Sequence, residues 1–189
     1  MAARERILDA AAQVMHDQGL AASTTREIAR AAGYSEATLY KHFADKQEIF
    51  LSVLRERLPR LDDVADLVGE HTVAANLEQI VGRLLSFYVA SFPIAASIFS
   101  QPGLLASHRD AMAARGAGPR LPVQRVSNYL AGEQALGRVP ADADVTAVAA
   151  LLAGAAFQHA FFANFEGDKE SDQVGDWPAR LVAAAGFND

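Results

Sequence analysis

The stretch Thr24–Glu48 decides the fold of the first third of the chain, and it reads TTREIARAAGYSEATLYKHFADKQE. It predicts a short helix, a turn at Gly33 and a second short helix. The second helix carries Tyr40, Lys41 and His42, whose side chains can hydrogen-bond nucleic acid. A helix-turn-helix of this kind places its second helix in the major groove of DNA.

Polar residues that cap helices indicate where the helices of this stretch begin. Thr24 followed by Glu27 predicts a capping box, in which each side chain satisfies a backbone N–H of the other residue. Ser35 predicts an N-cap for the second helix. Asp45 and Glu48 repeat the capping-box spacing before a further helix. The predicted helix starts therefore agree with one another across the whole stretch.

Apolar residues recur at helical spacing along the rest of the chain, with proline and glycine between the segments. The predicted helical segments are Ala3–Gln18 ended by Gly19, 72–91 ended by Pro93, a short piece at Ile94–Phe99, Leu104–Ala114 after a break at Pro102-Gly103, Val123–Ala135, Asp144–Phe165 and Trp177–Ala185. Alanine and leucine are abundant, runs of β-branched residues are scarce, and 51% of the residues are hydrophobic. Together these features predict an all-α fold.

Charge and cysteine content narrow the class of protein. The 189 residues include no cysteine, which excludes disulfides and thiolate metal sites and favours a cytoplasmic protein. No apolar signal region follows the first residues. The net charge of −6 is uneven, because residues 1–60 hold nine basic and eight acidic side chains and the rest carries −7. A net charge of +1 predicts modest phosphate binding, so dimerisation and specific contacts are needed for DNA affinity.

The segment Val145–Ala163 is almost entirely apolar and about long enough to span a bilayer. Gly154, Gln158 and His159 lie within it, and no basic cluster flanks it. Helices that are apolar all round also occur in cores and subunit interfaces. We expect a buried or dimer-forming helix and no membrane contact, with a transmembrane helix as the alternative.

Over roughly Arg4 to Leu58 these residues resemble the tetracycline-repressor-type (TetR/AcrR) family of transcriptional regulators. The likeness rests on the order and spacing of short motifs, each weak by itself. They are Ile7-Leu8-Asp9-Ala10-Ala11, Gly19, Thr24-Thr25 leading to Ile28-Ala29, Ala32-Gly33-Tyr34-Ser35, Thr38-Leu39-Tyr40, His42-Phe43 and Lys46. The remaining two-thirds of the chain has no comparable motif.

The resemblance implies a helix-turn-helix DNA-binding domain over residues 2–62, with its motif at about 24–43, and a helical effector-binding and dimerisation domain over residues 63–189. It implies a homodimer through about 144–165 and 177–185 that binds a near-palindromic double-stranded DNA operator. A small effector, largely apolar, is expected to release the protein from DNA. Repression is the usual mode of the family, and neither a cofactor nor an enzymatic activity is expected.

The resemblance also implies roles for single residues. Thr25 and Arg26 begin the helix that contacts the phosphate backbone, and Lys46 begins the next helix, where its charge suits a phosphate. The first turn of the second helix is where such proteins read bases. The predicted DNA-binding residues are Thr25, Arg26, Ser35, Glu36, Ala37, Thr38, Tyr40, Lys41, His42 and Lys46.

Glu36 departs from the family pattern, in which many members have a neutral or basic residue. A carboxylate here is repelled by phosphates but can accept a hydrogen bond from cytosine N4, which would contribute to sequence selectivity. The alternative is a solvated carboxylate that the helix dipole stabilises.

Aromatic residues in the second part of the chain are candidates for an apolar effector pocket. The predicted pocket residues are Phe87, Tyr88, Phe92, Phe99, Tyr129, Phe157, His159 and Phe161. The alternative is ordinary core and dimer packing, since phenylalanine at helical spacing is usually core. No set of histidines and carboxylates has metal-site spacing.

Fragments of enzyme motifs occur without their partners. His108-Arg109-Asp110 imitates a kinase catalytic-loop triplet, but neither the following asparagine nor a preceding glycine-rich loop is present. The alternative to a regulator is a helical binding module or an enzyme that uses the helix-turn-helix only for packing.

Overall fold

Most of the part of the chain that the structure describes is helical. The computed structural model describes residues 2–57, 64–114, 116, 118–167 and 175–188. The helices are α1 (Ala3–Ala22), α2 (Thr25–Ala32), α3 (Glu36–Tyr40), α4 (Lys46–Glu56), a short 3-10 helix (Ala65–Leu67), α5 (Val73–Phe99), α6 (Pro102–Ala113), α7 (Leu121–Ala135), α8 (Val145–Glu166) and α9 (Trp177–Ala184). These ranges contain no strand, and the predicted all-α fold is confirmed.

Helix α1 is interrupted where the sequence predicts its end. Gly19 has a left-handed φ of 73° and a ψ of 166°, so the regular helix breaks there. The helical run nevertheless continues to Ala22, and the hydroxyl of Ser23 donates to the carbonyl of Gly19 at 2.7 Å. The predicted break is confirmed, whereas the predicted end at Gln18 is one short turn too early.

Helix α5 contradicts the prediction that Pro93 ends a helix. The helix runs unbroken from Val73 to Phe99 with Pro93 inside it. Proline has no N–H to donate to the carbonyl four residues earlier, which is that of Val89. The side-chain amide of Asn164 in α8 donates to this carbonyl at 3.2 Å instead. The carbonyl that proline would leave without a partner is thus satisfied from a distant part of the sequence.

The predicted break at Pro102-Gly103 lies two residues earlier, at Ser100-Gln101. Pro102 lies in the first turn of α6, where a missing N–H costs nothing because the first N–H groups of a helix have no intrahelical acceptor. The helix therefore begins two residues earlier than the predicted Leu104.

The structure divides into two compact units. The first comprises Met1–Pro59 and Ser91–Gly116, and the second comprises Arg60–Ala90 and Ala117–Asp189. In the first unit, Ile98 and Leu104 share one buried core with side chains of α1 to α4. The sequence division into residues 2–62 and 63–189 does not include this association of residues 91–116. Its boundary lies outside the described residues, and the division stays a prediction.

The core of the first unit is built from the apolar faces that the sequence indicates. Its fully buried side chains include Ile7, Leu8, Met15, Ile28, Leu39 and Ile49. The core of the second unit gathers α5, α7, α8 and α9 around Leu77, Leu84, Leu130, Leu152 and Val182. Each unit thus has a hydrophobic core of its own, which is what makes a domain compact.

A buried acidic residue of α7 contacts the segment that precedes α5 within the second unit. Glu133 is fully buried, its Oε1 accepts the backbone N–H of Gly69 at 3.1 Å, and its Oε2 lies 3.2 Å from Nη1 of Arg138. Asn76 donates to the carbonyls of Leu67 and Glu70, each at 3.0 Å. A buried charge of this kind needs its partners, so loss of either one is costly.

Helix α8 has two apolar faces of different character. The face buried in the second unit consists mostly of alanine: Ala149, Leu152, Ala153, Ala156, Ala160 and Ala163. The opposite face exposes large side chains, between 40% and 80% accessible: Leu151, Phe157, Phe161, Phe162 and Phe165. Among the described helices, α8 is also long and apolar enough to cross a membrane by length and composition, with 28% of its most apolar window buried.

Candidate nucleic-acid interface

The start of α2 is fixed by the capping box that the sequence predicts. The backbone N–H of Glu27 donates to the Thr24 hydroxyl at 3.2 Å, and the Thr24 N–H donates to Oε2 of Glu27 at 3.0 Å. The hydrogen bonds from Thr24 lower the pKa of Glu27. Because these bonds use donors that a helix start leaves free, they set the residue at which α2 begins.

The turn between α2 and α3 requires glycine. Gly33 ends α2 in the left-handed conformation, with φ 76° and ψ 30°, and the next N–H, of Tyr34, donates to the carbonyl of Ala29 at 2.9 Å. A side chain at this φ would be strained. The tight turn directs the chain into Ser35, whose hydroxyl accepts from the N–H of Thr38 at 3.2 Å and caps α3.

Helix α3 is anchored by one face and exposed on the other. Leu39 is fully buried, and Phe43 just beyond the helix is 2% exposed. The ten predicted DNA-binding residues lie at the start of α2, in and around α3 and at the start of α4. Helix α3 ends at Tyr40, so Lys41 and His42 lie in the turn after it and not on the helix as the sequence predicts. None of the ten is buried: Thr25, Glu36, Thr38 and Lys46 are half-buried, and Arg26, Ser35, Ala37, Tyr40, Lys41 and His42 are exposed.

A polar network that the sequence does not reveal connects α2 with α3. The Thr25 hydroxyl donates to Oε1 of Glu36 at 2.8 Å, and the Tyr40 hydroxyl donates to Thr25 at 3.3 Å. Nε of Arg26 lies 3.9 Å from Oε2 of Glu36. Eleven positions separate Thr25 from Glu36, and only the turn at Gly33 brings them together. Neither sequence interpretation of Glu36 included these partners.

Two arginines join the start of α1 to the end of α4. Nη1 and Nη2 of Arg4 donate to the two carboxylate oxygens of Glu56 at 2.8 and 2.9 Å. Arg57 donates to Asp9 at 2.7 Å and pairs with Glu5. The hydrogen bonds from Arg4 lower the pKa of Glu56 to about 2. Bidentate pairing makes this ion pair stronger than an ordinary surface pair.

Lys46 extends the exposed surface onto α4. Its Nζ lies 5.0 Å from the centre of the Phe50 ring, a cation–π distance that rests the side chain on the core. It begins α4, next to Asp45, whose carboxylate accepts the N–H of Glu48 at 2.7 Å. The predicted cap is confirmed, and the positive side chain lies beside a helix start.

The predicted pocket residues occupy several places. The ring of Tyr88 meets those of Phe87 and Phe157 edge to face, at centroid distances of 5.3 and 5.4 Å. The ring of His159 lies 4.4 Å from that of Trp177. Burial raises the pKa of Tyr88 to about 12, so its hydroxyl keeps its proton at neutral pH.

The remaining predicted pocket residues are described by their place in the fold. Phe161 lies on the exposed face of α8, where its ring stacks on that of Phe165. Tyr129 is buried in the core of the second unit, and burial raises its pKa to about 12. Phe92 and Phe99 belong to the first unit, where Phe99 is 71% exposed. The pocket assignment stays a prediction.

An open groove of about 650 Å³ occurs elsewhere in the second unit. His71, Arg138 and Phe187 are among its lining residues, and none of the predicted pocket residues lines it. Among the described residues, no group of three or more histidine, aspartate or glutamate side chains is placed to hold a metal ion.

Comparison with known proteins identifies the first unit. Residues 7–53 match the family described as bacterial regulatory proteins, tetR family. This segment is therefore similar to the tetR family of bacterial regulatory proteins. The matched residues run from α1 into α4 and contain the whole helix-turn-helix, so the predicted resemblance is confirmed.

Relatives and solved structures extend this likeness. The transcriptional regulator BetI of Rhizobium meliloti is 37% identical over 82 residues, which cover 43% of this chain and 39% of BetI. The repressor KstR2 of Mycolicibacterium smegmatis is 33% identical over 91 residues, or 46% of this chain and 42% of KstR2. The chain thus spans about two fifths of the length of the curated relatives it matches.

Over nearly the whole chain, the likeness to solved structures is one of fold. A tetR-family regulator from Mesorhizobium loti superposes with a TM-score of 0.72 at 21% identity, over 97% of this chain and 92% of that one. The transcriptional regulator FadR of Bacillus subtilis, solved in complex with stearoyl-CoA, gives a TM-score of 0.63 at 18% identity, over 96% of this chain and 93% of that one. The helical fold of this chain is therefore similar to that of these two solved structures.

Proposed function

We propose that this chain is a sequence-specific DNA-binding transcriptional regulator, a cytoplasmic repressor that a small effector releases from its operator. The observation that carries the proposal is α3. It is capped by Ser35 and anchored by Leu39 and Phe43, and it leaves Ala37 and Tyr40 exposed beside the cations of α2 and α4. A second helix presented in this way fits the major groove, where base edges can be read.

We call residues 1–60 the head of the protein. The small net charge of the head supports a protein that binds particular DNA sequences rather than any nucleic acid. Residues 1–60 carry a net charge of only +1. Sequence-independent binding grows with the number of phosphates that lysine and arginine neutralise. A head with so small an excess of positive charge needs base contacts and a second head on the same DNA to bind usefully.

We propose that the second head comes from a homodimer formed through α8 and α9. The exposed face of α8, with Leu151, Phe157 and Phe165 among its members, supports this proposal, because soluble monomers rarely expose a contiguous apolar face of this kind. Small alanines pack inward within the protomer while the phenylalanines point outward. A two-fold axis across this face would bury the same residues of both copies.

An apolar small molecule is the effector that we propose. The edge-to-face cluster of Phe87, Tyr88 and Phe157 supports an apolar binding region in the second unit. The structure of FadR with stearoyl-CoA gives a precedent in this fold for a long-chain acyl ligand. Differential affinity of the effector for the free and the DNA-bound state would shift the equilibrium away from DNA.

Gel-shift titration with the DNA upstream of its own coding sequence tests the DNA-binding proposal. We expect a specific complex that survives competitor DNA, and its loss in Tyr40→Ala and Lys46→Ala with unchanged helical circular dichroism. Gln13→Ala, a neutral change at an exposed position of α1, is the matched control and keeps full binding. Full binding by both interface variants would instead support a helix-turn-helix used only for packing.

Sedimentation equilibrium without detergent tests the dimer. Leu151 is 68% exposed in the protomer, so Leu151→Glu should leave the fold intact and convert the dimer to a monomer. Gln124→Glu places the same charge at an exposed position of α7 and should stay dimeric. A wild-type protein that remains in solution only with detergent would support membrane anchoring through α8 instead.

A further inference from the structure

The carboxylate of Glu36 connects the first turns of the two interface helices. Its Oε1 accepts the hydroxyl hydrogen of Thr25 at 2.8 Å, and Thr25 in turn accepts the hydroxyl hydrogen of Tyr40 at 3.3 Å. Hydrogen bonds in such a chain strengthen one another. One oxygen of Glu36 is therefore held in place by residues that themselves belong to the interface.

The second oxygen of Glu36 has a weaker partner. Oε2 lies 3.9 Å from Nε of Arg26, whose side chain is 87% exposed, while that of Glu36 is 39% exposed. Exposed ion pairs of this length contribute little. Arg26 can thus leave the carboxylate for a phosphate at small cost, and Oε2 then becomes available to another donor.

The major groove offers donors that suit a carboxylate oxygen. The amino group N4 of cytosine is a hydrogen-bond donor on the base edge, and glutamate accepts from it. We propose that Glu36 is a specificity-determining residue, held by Thr25, that exchanges Arg26 for a cytosine amino group when the head meets its operator. This inference rests on the proposed function and names how that interface selects its sequence.

The exchange favours the operator over random DNA. On random DNA, most half-sites place no matched cytosine amino group beside Glu36, so Arg26 stays next to the carboxylate and the negative charge of Glu36 opposes the nearby phosphates. Two unit charges roughly 6 Å apart in water repel each other enough to weaken binding by about threefold per head, or about tenfold in a dimer. On the operator, the hydrogen bond to the base offsets this repulsion.

Binding of wild-type protein and variants to two duplexes, at several salt concentrations, tests the proposal. One duplex carries the site selected from a random-sequence pool, and the other is a random duplex of the same length. We expect Glu36→Gln to bind the random duplex about tenfold more tightly. Its salt slope should steepen by about 1 to 2, because each freed Arg26 releases about 0.9 counterion. Glutamine pairs with adenine, so the selected site should change from C·G to an A·T pair at one position per half-site.

Two further variants separate this role from a general charge effect. In the Arg26→Ala background, the change in salt slope caused by Glu36→Gln should disappear. Asp17→Asn removes one exposed carboxylate of α1 and should leave the ratio of operator to random affinity unchanged.

Each possible result either supports or overturns the inference about Glu36. An unchanged affinity ratio and selected site in Glu36→Gln overturns the inference, and so does a slope change that persists without Arg26. In both cases the wild-type protein still discriminates its operator, so the proposed function stands. A wild-type protein that selects no sequence overturns the inference and the proposed function together.

Discussion

Replacing Glu56 with glutamine should destabilise the head in a manner that depends on pH. Glu56 accepts two hydrogen bonds from Arg4, at 2.8 and 2.9 Å, and so joins the end of α4 to the start of α1. The guanidinium of Arg4 also lies 5.4 Å from the centre of the Phe43 ring. Glutamine keeps the size of the side chain but loses the charge, and it cannot accept both hydrogen bonds.

The size of the effect follows from the pKa of Glu56, which the hydrogen bonds from Arg4 lower from 4.5 to about 2. At about 1.36 kcal/mol per pKa unit, the full shift would correspond to about 3 kcal/mol of unfolding free energy. The side chains of Arg4 and Glu56 are 34% and 24% exposed, and solvent screening reduces such a contribution. We therefore expect Glu56→Gln to lower the free energy of unfolding by about 1 to 2 kcal/mol at pH 7.

The sign of the pH dependence is fixed by the direction of the shift. Because the pKa of Glu56 is lower in the folded than in the unfolded protein, its stabilisation is complete above about pH 5 and is lost as the pH falls toward 2. Urea unfolding of the wild type and Glu56→Gln at pH 7 and pH 3 measures this. The difference should shrink by more than half at pH 3.

The exposed Asp17 on the same helix provides the control for this experiment. Asp17→Asn should change the free energy of unfolding by no more than about 0.5 kcal/mol, the range usual for surface substitutions. A difference between the wild type and Glu56→Gln that stays the same at both pH values would refute the assignment of this stabilisation to the ionised carboxylate.

Two other substitutions test the helices of the second unit. Asp144→Ala removes the carboxylate that accepts the N–H of Ala147 at 2.9 Å, and should cost about 1 kcal/mol in urea unfolding; no loss would mean that the cap is dispensable. Asn164→Ala leaves the carbonyl of Val89 without its donor and should cost about 1 to 2 kcal/mol. The cost should fall in a Pro93→Ala background, and an equal cost in both backgrounds would contradict this account of α5.

The sequence predicts those parts of the fold that depend on nearby residues. The caps at Thr24, Ser35 and Asp45 lie where the pattern places them, because each side chain accepts a hydrogen bond from the backbone N–H three residues later. The turn at Gly33 follows for the same reason, since only a local φ is involved. Short-range chemistry therefore predicts where the helices of the candidate interface begin and turn, whereas its DNA-contact residues come from the family resemblance and stay a prediction.

Features that depend on distant residues were missed. Pro93 was expected to end a helix because proline lacks an N–H, but Asn164, 71 positions later, satisfies the carbonyl of Val89. The packing of Ile98 and Leu104 in the first unit likewise involves partners far away in sequence. The hydrogen bond from Thr25 to Glu36 arises only after the turn has formed. No periodic pattern signals any of these contacts.

Selection of DNA from a random-sequence pool, followed by footprinting of the selected site, tests the central claim most directly. The account predicts a near-palindromic site protected by two heads, with half-sites separated by one helical turn of DNA or a multiple of it. A pool that converges on no sequence, at a salt concentration where the protein is folded and dimeric, would contradict it.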